Sequence, residues 1–213
     1  MTTVHPVTVV VLAKRPRPGA DKTRLCPPCT PEEAAHLAAA ALHDTLAHVR
    51  AAAVAARVVA VDEPERFPNP PGFRVVTQAT GGLDARLAAV ACGVGGPVLV
   101  LGMDTPQADA AIIERAAARL LSPGVSAVLG PATDGGYWTI GLRHPRPEHF
   151  LGVPMSRADT GAAQLARLHA HGLRVAVLTE LRDVDDFDDA WAVAAAAPNT
   201  HFARAVGALG ILA

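Results

Sequence analysis

Short runs of valine, isoleucine and leucine recur along the chain with longer amphipathic stretches between them, and this alternation restricts the fold more than any other feature. Val7–Leu12, Arg57–Val61, Phe73–Thr77, Val98–Met103, Ser126–Gly130, Tyr137–Leu142 and Leu173–Leu178 read as strands. Thr30-Pro31-Glu32-Glu33 reads as a helix start, with Thr30 as N-cap, Pro31 at the first helical position and Glu33 closing a capping box. That helix is expected to run to about Ala53. Leu83–Ala91, Asp109–Leu121 and Ala162–Ala170 follow as helices, with Trp191–Ala197 and Phe202–Leu212 as closing ones. Near-continuous apolar strands separated by helices belong in a largely parallel sheet covered on both faces. The expected architecture is therefore a three-layer α/β/α, Rossmann-like domain spanning residues 1–213. The Gly-rich turn before Tyr137 makes that strand a candidate for antiparallel pairing.

Composition enters as a set of exclusions. A formal net charge of −1 argues against a general nucleic-acid binder. The apolar run Val7–Ala13 is too short to span a bilayer, which takes about 20 residues. It is followed, not preceded, by the cations Lys14 and Arg15, the reverse of a signal peptide, so a cytoplasmic protein that binds no membrane is expected. Cys26, Cys29 and Cys92 make no disulfide framework, and the single C-x-x-C pair lacks the second half of a zinc site. No serine stands in a G-x-S-x-G elbow.

In open α/β sheets ligands bind beyond the carboxyl ends of the strands. Those ends carry Lys14 to Arg24, Asp62, Gln78, Asp104 and Asp134, and the segment after the last strand carries Asp183 and Asp185. The loop Ala13-Lys14-Arg15-Pro16-Arg17-Pro18-Gly19-Ala20-Asp21-Lys22-Thr23-Arg24 holds both lysines of the chain. Gly19 allows a tight turn there, and such a loop can wrap phosphates with amides and ammonium groups. It is not a Walker A loop, because Pro16 and Asp21 stand where glycines are required, and no G-x-G-x-x-G follows the first strand. Asp104, ending a central strand after Gly102, suits a hard divalent cation, which takes one or two protein carboxylates and shares the rest with water and phosphate. A plainer role for it is capping the next helix. Five aspartates occupy 183–189, most of them expected as solvated or helix-starting charges, with one of the first two free to complete a metal site. Asp134-Gly135-Gly136-Tyr137 reads either as a hairpin turn or as a backbone that approaches a ligand.

Together these residues resemble a known family. Ala13-Lys14-x-Pro16-x-Pro18-Gly19-x-x-Lys22-Thr23-Arg24-Leu25, Thr30-Pro31-Glu32-Glu33-Ala34, His43-Asp44-Thr45-Leu46, Gly102-x-Asp104-x-Pro106, Leu129-Gly130-Pro131-x-x-Asp134-Gly135-Gly136-Tyr137 and Arg182-Asp183-Val184-Asp185 occur in that order. They are similar to the bacterial rSAM/selenodomain-associated transferase 1 family, over roughly residues 7–190. Lys22-Thr23-Arg24-Leu25 is also similar to 2-phospholactate guanylyltransferases. The resemblance implies a GT-A-like fold of the nucleotide-diphosphosugar transferase superfamily, with Asp104 and Asp185 as metal ligands. Cys26 and Cys29 replace apolar residues common in that family, Met155 stands where tryptophan is usual, and Asp186-Phe187 replaces Thr-Pro.

The resulting expectation is a nucleotidyltransferase that uses Mg²⁺ or Mn²⁺. Lys14, Gly19, Lys22 and Arg24 hold a nucleoside triphosphate, and Gln78, Gly81 and Gly82 contact its base or ribose. Lys22 and Asp104 act in catalysis, Asp104 and Asp185 bind the metal, and Asp134, Gly135, Gly136 and Tyr137 bind a small phosphorylated acceptor. The alternatives are a GT-A glycosyltransferase with a nucleotide-sugar donor and an idle nucleotide sensor. The partners are small molecules, with a homodimer left open.

Overall fold

The computed structural model describes residues 4–210. Its sheet has seven strands, β1 (His5–Leu12), β2 (Val54–Val61), β3 (Arg74–Thr77), β4 (Val98–Leu101), β5 (Ala127–Pro131), β6 (Tyr137–Leu142) and β7 (Val175–Val177). They lie in the order β3-β2-β1-β4-β6-β5-β7. β6 is antiparallel to both its neighbours, and the other pairings are parallel. The expected α/β architecture and the antiparallel β6 are both observed.

The helices are α1 (Pro31–Ala51), α2 (Leu83–Gly93), α3 (Ala110–Leu121), α4 (Thr160–Ala170), α5 (Phe187–Ala196) and α6 (His201–Ala208). α1 and α3 press Leu42, Val49, Ile113 and Leu120 onto one face of the sheet, against Val9, Val11, Val59, Leu99 and Leu101. On the other face Leu87 and Ala91 of α2 and Leu168 of α4 meet Val10, Val58, Val100, Leu129 and Ile140. Alternate strand residues thus feed two cores, which is why the strands read as unbroken apolar runs. A third core lies outside this frame. Ala34, Leu37 and Ala41 of α1 turn away from the sheet and pack on Val193 and Ala194 of α5 and on Phe202 and Val206 of α6. α1 is therefore buried on two sides, and α5 and α6 form a further layer over it.

Boundaries move where a cap or a pairing partner decides them. The Thr30–Glu33 capping box is present in both directions. α5 begins at Phe187 and not Trp191, because Asp186 and Asp189 form a reciprocal box that recruits the acidic run into the first turn. β2 begins at Val54, three residues before the expected start, drawn into register by His5 of β1. The expected end of the last helix at Leu212 lies outside the described residues. Among the described residues no helix is long and apolar enough to cross a membrane.

The strand order reverses direction between β1 and β4, so the loops leaving their carboxyl ends diverge and open a crevice there.

Candidate functional site

At that crevice lies a cavity of about 470 Å³, lined by the segments after β1, β4 and β7, the β5–β6 turn, and residues before α4. This volume falls within the usual range for small-molecule sites, roughly 300–1,000 Å³. Lys14, Lys22, Arg24, Gln78, Asp104, Asp134, Gly136, Tyr137 and Asp185 all line it.

The central contact joins two residues 82 positions apart by number. Lys22 Nζ lies 2.8 Å from Asp104 Oδ2, with the lysine side chain only 14% exposed. The same ammonium donates to the Val184 carbonyl. Val184 N–H in turn donates to the Asp104 carbonyl at 3.0 Å. Further bonds hold this third segment in place: Leu181 N–H donates to Pro131 O, and the Gln107 side-chain amide donates to Arg182 O. A stretch remote in sequence is thereby fastened beside the end of β4, with Asp183 and Asp185 on either side of the buried Val184.

The two aspartates have different surroundings. The Asp185 carboxylate is ion-paired with Arg24. Asp183 is pushed up to about 6, first by burial, then by the neighbouring carboxylates of Asp134 and Asp104, against the pull of Lys22. Asp104 Oδ1 is buried and has no hydrogen-bond partner. Lys22 thus pairs with Asp104 and pulls on Asp183, and one oxygen of Asp104 is left bare. That is an arrangement a divalent cation fits.

Both non-glycine residues with left-handed backbone among those described, Lys22 (φ 53°) and Ser156 (φ 58°), line this cavity. Such conformations cost about 1–2 kcal/mol for a residue with a Cβ. Here they accompany two residues of the cavity lining, Lys22 and Ser156.

Other expected site residues are occupied differently. The five cations of the first loop are largely neutralised: Arg15 and Arg17 face Glu63, Lys22 faces Asp104, and Arg24 faces Asp185. Lys14 alone of the five has no carboxylate partner among the described residues. Gln78 spends its amide N–H groups on Ala13 O and Ala60 O, tying the ends of β1 and β2 together, while its buried carbonyl oxygen is unpartnered. The Tyr137 hydroxyl donates to Gln164 and sits beside Met155, and burial raises its pKa, so it stays protonated.

Four glycines expected at the site do not line the cavity. Gly19 (φ 72°) makes a turn in the basic loop with open space around it. Gly81 (φ 106°) lines a neighbouring cavity with Lys14, Gln78 and Arg86, and Gly82 is the N-cap of α2. Gly135 (φ 87°) presses on protein: a Cβ there would lie 1.9 Å from Ala158 O. Its own carbonyl accepts from Gly161 N–H at 2.8 Å. The close approach expected of this turn is real, but its partner is the start of α4. Residues that sequence reasoning missed include Arg86, Ser156 and Arg157, contributed by α2 and by the loop before α4. No local motif marks them, because only the packing of α2 and α4 on the same sheet face turns them toward the crevice.

A family model described as "Uncharacterized protein conserved in bacteria (DUF2064)" matches residues 37–157, more than half of the chain. The chain belongs to the DUF2064 family. Among solved structures, this DUF2064 chain is similar to a "putative nucleotide-diphospho-sugar transferase" from Desulfovibrio desulfuricans G20, with TM-score 0.85 and 25% identity over 95% of this chain and 93% of that one. It also shares its fold with a CMP:2-keto-3-deoxy-manno-octonic acid synthetase in complex with CTP, at TM-score 0.56 and 14% identity over 85% and 93% of the two chains. A third similar fold is Rv0371C of Mycobacterium tuberculosis H37Rv in complex with manganese, at TM-score 0.51 and 21% identity over 90% and 98%. No curated protein matches.

Proposed function

We propose that this DUF2064 protein is a divalent-cation-dependent nucleotidyltransferase that moves a nucleoside monophosphate unit from a nucleoside triphosphate to a small phosphorylated acceptor. The observation that carries the reading is the half-buried Lys22–Asp104 pair, with Asp104 Oδ1 bare and Asp183 crowded beside it at the strand-order switch. An ammonium and an acid cluster meet there at one point. Negative charge grows on the oxygens of a phosphorus centre under attack, and a preorganised ammonium stabilises it. At a glycosyl centre the developing charge is positive, and an ammonium at the reacting atom opposes it.

Asp104 and Asp183 would hold Mg²⁺ or Mn²⁺, with Asp134 close by. Asp185 is better assigned to orienting Arg24. When bound, the cation neutralises phosphate charge and activates the leaving group. Lys22 holds the oxygens of the α-phosphate, and Lys14 and Arg24 bind the outer phosphates. An acceptor oxygen attacks the α-phosphorus, the bond from that phosphorus to the bridging oxygen breaks, and pyrophosphate leaves. The acceptor phosphate would lie toward Arg157 and Ser156. Similar folds occur in complex with CTP and in complex with manganese, which supports a nucleotide and a divalent cation as ligands here.

A second reading is favoured by the similarity to the nucleotide-diphospho-sugar transferase description. In that case the same cations hold a departing nucleoside diphosphate.

A thermal-shift screen of nucleoside triphosphates and nucleotide sugars, with and without Mg²⁺, tests binding. A ligand at 100 times its Kd stabilises by about 2.7 kcal/mol. Product analysis then separates pyrophosphate from nucleoside diphosphate. Lys22→Ala and Asp104→Asn are each expected to lower turnover about 10²–10³-fold with the fold intact. Absence of any Mg²⁺-dependent nucleotide shift, or near-normal turnover in either variant, overturns the proposal.

A further inference from the structure

We propose that His43, Asp44 and His201 form a second metal site, suited to a borderline cation such as Zn²⁺, where α6 begins against the outer side of α1. None of the three lines the nucleotide-site cavity. Asp44 is 4% exposed at its side chain, while His43 and His201 are each 57% exposed. Asp44 Oδ1 lies 2.9 Å from His201 Nδ1 and 3.5 Å from His43 Nδ1. One ligand atom from each residue falls within 4.8 Å of the other two.

These spacings carry the argument. A tetrahedral Zn²⁺ with nitrogen and oxygen ligands at about 2.0–2.2 Å sets neighbouring ligand atoms about 3.3–3.6 Å apart. The longer separation, 3.5 Å, lies within that range and the shorter, 2.9 Å, just below it, so small rotations about side-chain bonds would admit the ion. The carboxylate is already aimed: its Oδ1 accepts from the His201 backbone N–H at 3.1 Å, and its Oδ2 from the Phe202 N–H at 2.7 Å. Backbone donors behind a ligand fix its orientation, as second partners do in zinc sites. The imidazole rings meet edge-on with centroids 4.1 Å apart, both open to solvent, which leaves an entry path and a fourth position for water. Two imidazoles and one carboxylate favour Zn²⁺ over Mg²⁺, which prefers oxygen ligands alone. The ion would pin α6 to α1 across 157 positions of sequence.

The test is equilibrium dialysis against micromolar Zn²⁺ in buffer containing millimolar Mg²⁺, on wild type, His43→Ala, His201→Ala, the double His variant and Asp104→Asn. Wild type and Asp104→Asn are expected to take up about one Zn²⁺ per chain. Each single His variant should bind at least tenfold more weakly, and the double variant should take up none at this site. Zn²⁺ should raise the Tm of wild type and leave that of the double variant unchanged. Co²⁺ should give visible absorption of a tetrahedral site in wild type alone of the histidine set. The His variants alter exposed side chains, so their folding is checked simply by circular dichroism. No stoichiometric Zn²⁺ in wild type, or equal uptake by the double variant, overturns the site. Neither result bears on the nucleotide reading, because Asp104→Asn separates the two.

Discussion

Gly135→Ala asks whether the acid-bearing turn is held by backbone contact alone. Gly135 has φ 87°, and a Cβ on it would meet Ala158 O at 1.9 Å and Ala158 C at 2.6 Å. The left-handed conformation alone costs an alanine about 1–2 kcal/mol. The clash is with backbone, so the turn must move, and the Gly161 N–H to Gly135 O bond is lost for about 0.5–1.5 kcal/mol more. The expected loss is about 2–3 kcal/mol. Gly172→Ala is the matched control: its φ is 73°, yet nothing lies within 4 Å of a Cβ there, so only the conformational cost of about 1–2 kcal/mol applies. Urea unfolding of both variants measures the difference at equal m-value. In Tm, about 2–4 °C per kcal/mol for a chain of this size makes Gly135→Ala fall by about 5–10 °C. Asp134 adjoins Gly135 and its Oδ1 accepts from Gly136 N–H, so nucleotide affinity should drop as well, and only in Gly135→Ala. Equal midpoints for the two variants, or a wild-type midpoint for Gly135→Ala, would refute the packing argument.

Asp183 supplies a pH test. Its folded-state carboxyl, at about 6, holds a proton that the unfolded chain releases near 3.8, so metal-free stability falls as pH rises from about 4 to about 6 and stays lowered above that. Asp183→Asn should therefore stabilise the chelated protein at pH 7 by about 1–2 kcal/mol, flatten that slope in urea titrations, and weaken divalent-cation binding. His149, 4% exposed, has its pKa lowered chiefly by burial, so the folded state resists protonation and stability falls as pH drops through about 6.5. In NMR titration its ring should turn over below the exposed histidines; a midpoint at or above theirs would contradict this. Arg24→Ala should change stability by at most about 0.5–1 kcal/mol, because Arg24 is 74% exposed and its partner Asp185 is 35% exposed, while raising the KM for the nucleotide. An unchanged KM would remove Arg24 from phosphate binding.

Much of the frame was legible in the chain itself. β4 announces itself because both its faces are buried and every position is apolar, and β1 does so through the run Val9–Leu12. The start of α1 is written in Thr30, Pro31 and Glu33, since a cap is a contact between residues three apart. The antiparallel turn of β6 follows from the glycines that precede it. Asp104 and Lys22 could be singled out because strand-end positions in such a sheet face a crevice. The charge of the first loop was misleading for the same reason that it was visible: sequence counts cations, and it does not reveal that Glu63 answers two of them.

Local chemistry, in short, determined which segments became strands and helices and which loops stood at the sheet's carboxyl edge, because propensity, capping and periodicity act over a few residues. Tertiary structure alone decided the pairings. It brought Asp183 and Asp185 to the same cavity as Asp104, gave Arg24 to Asp185, pressed Gly135 on Ala158, and brought His201 to Asp44. Each of those contacts joins residues that only the folded backbone brings within a few ångströms, and burial and charge, which sequence does not specify there, settle what they do.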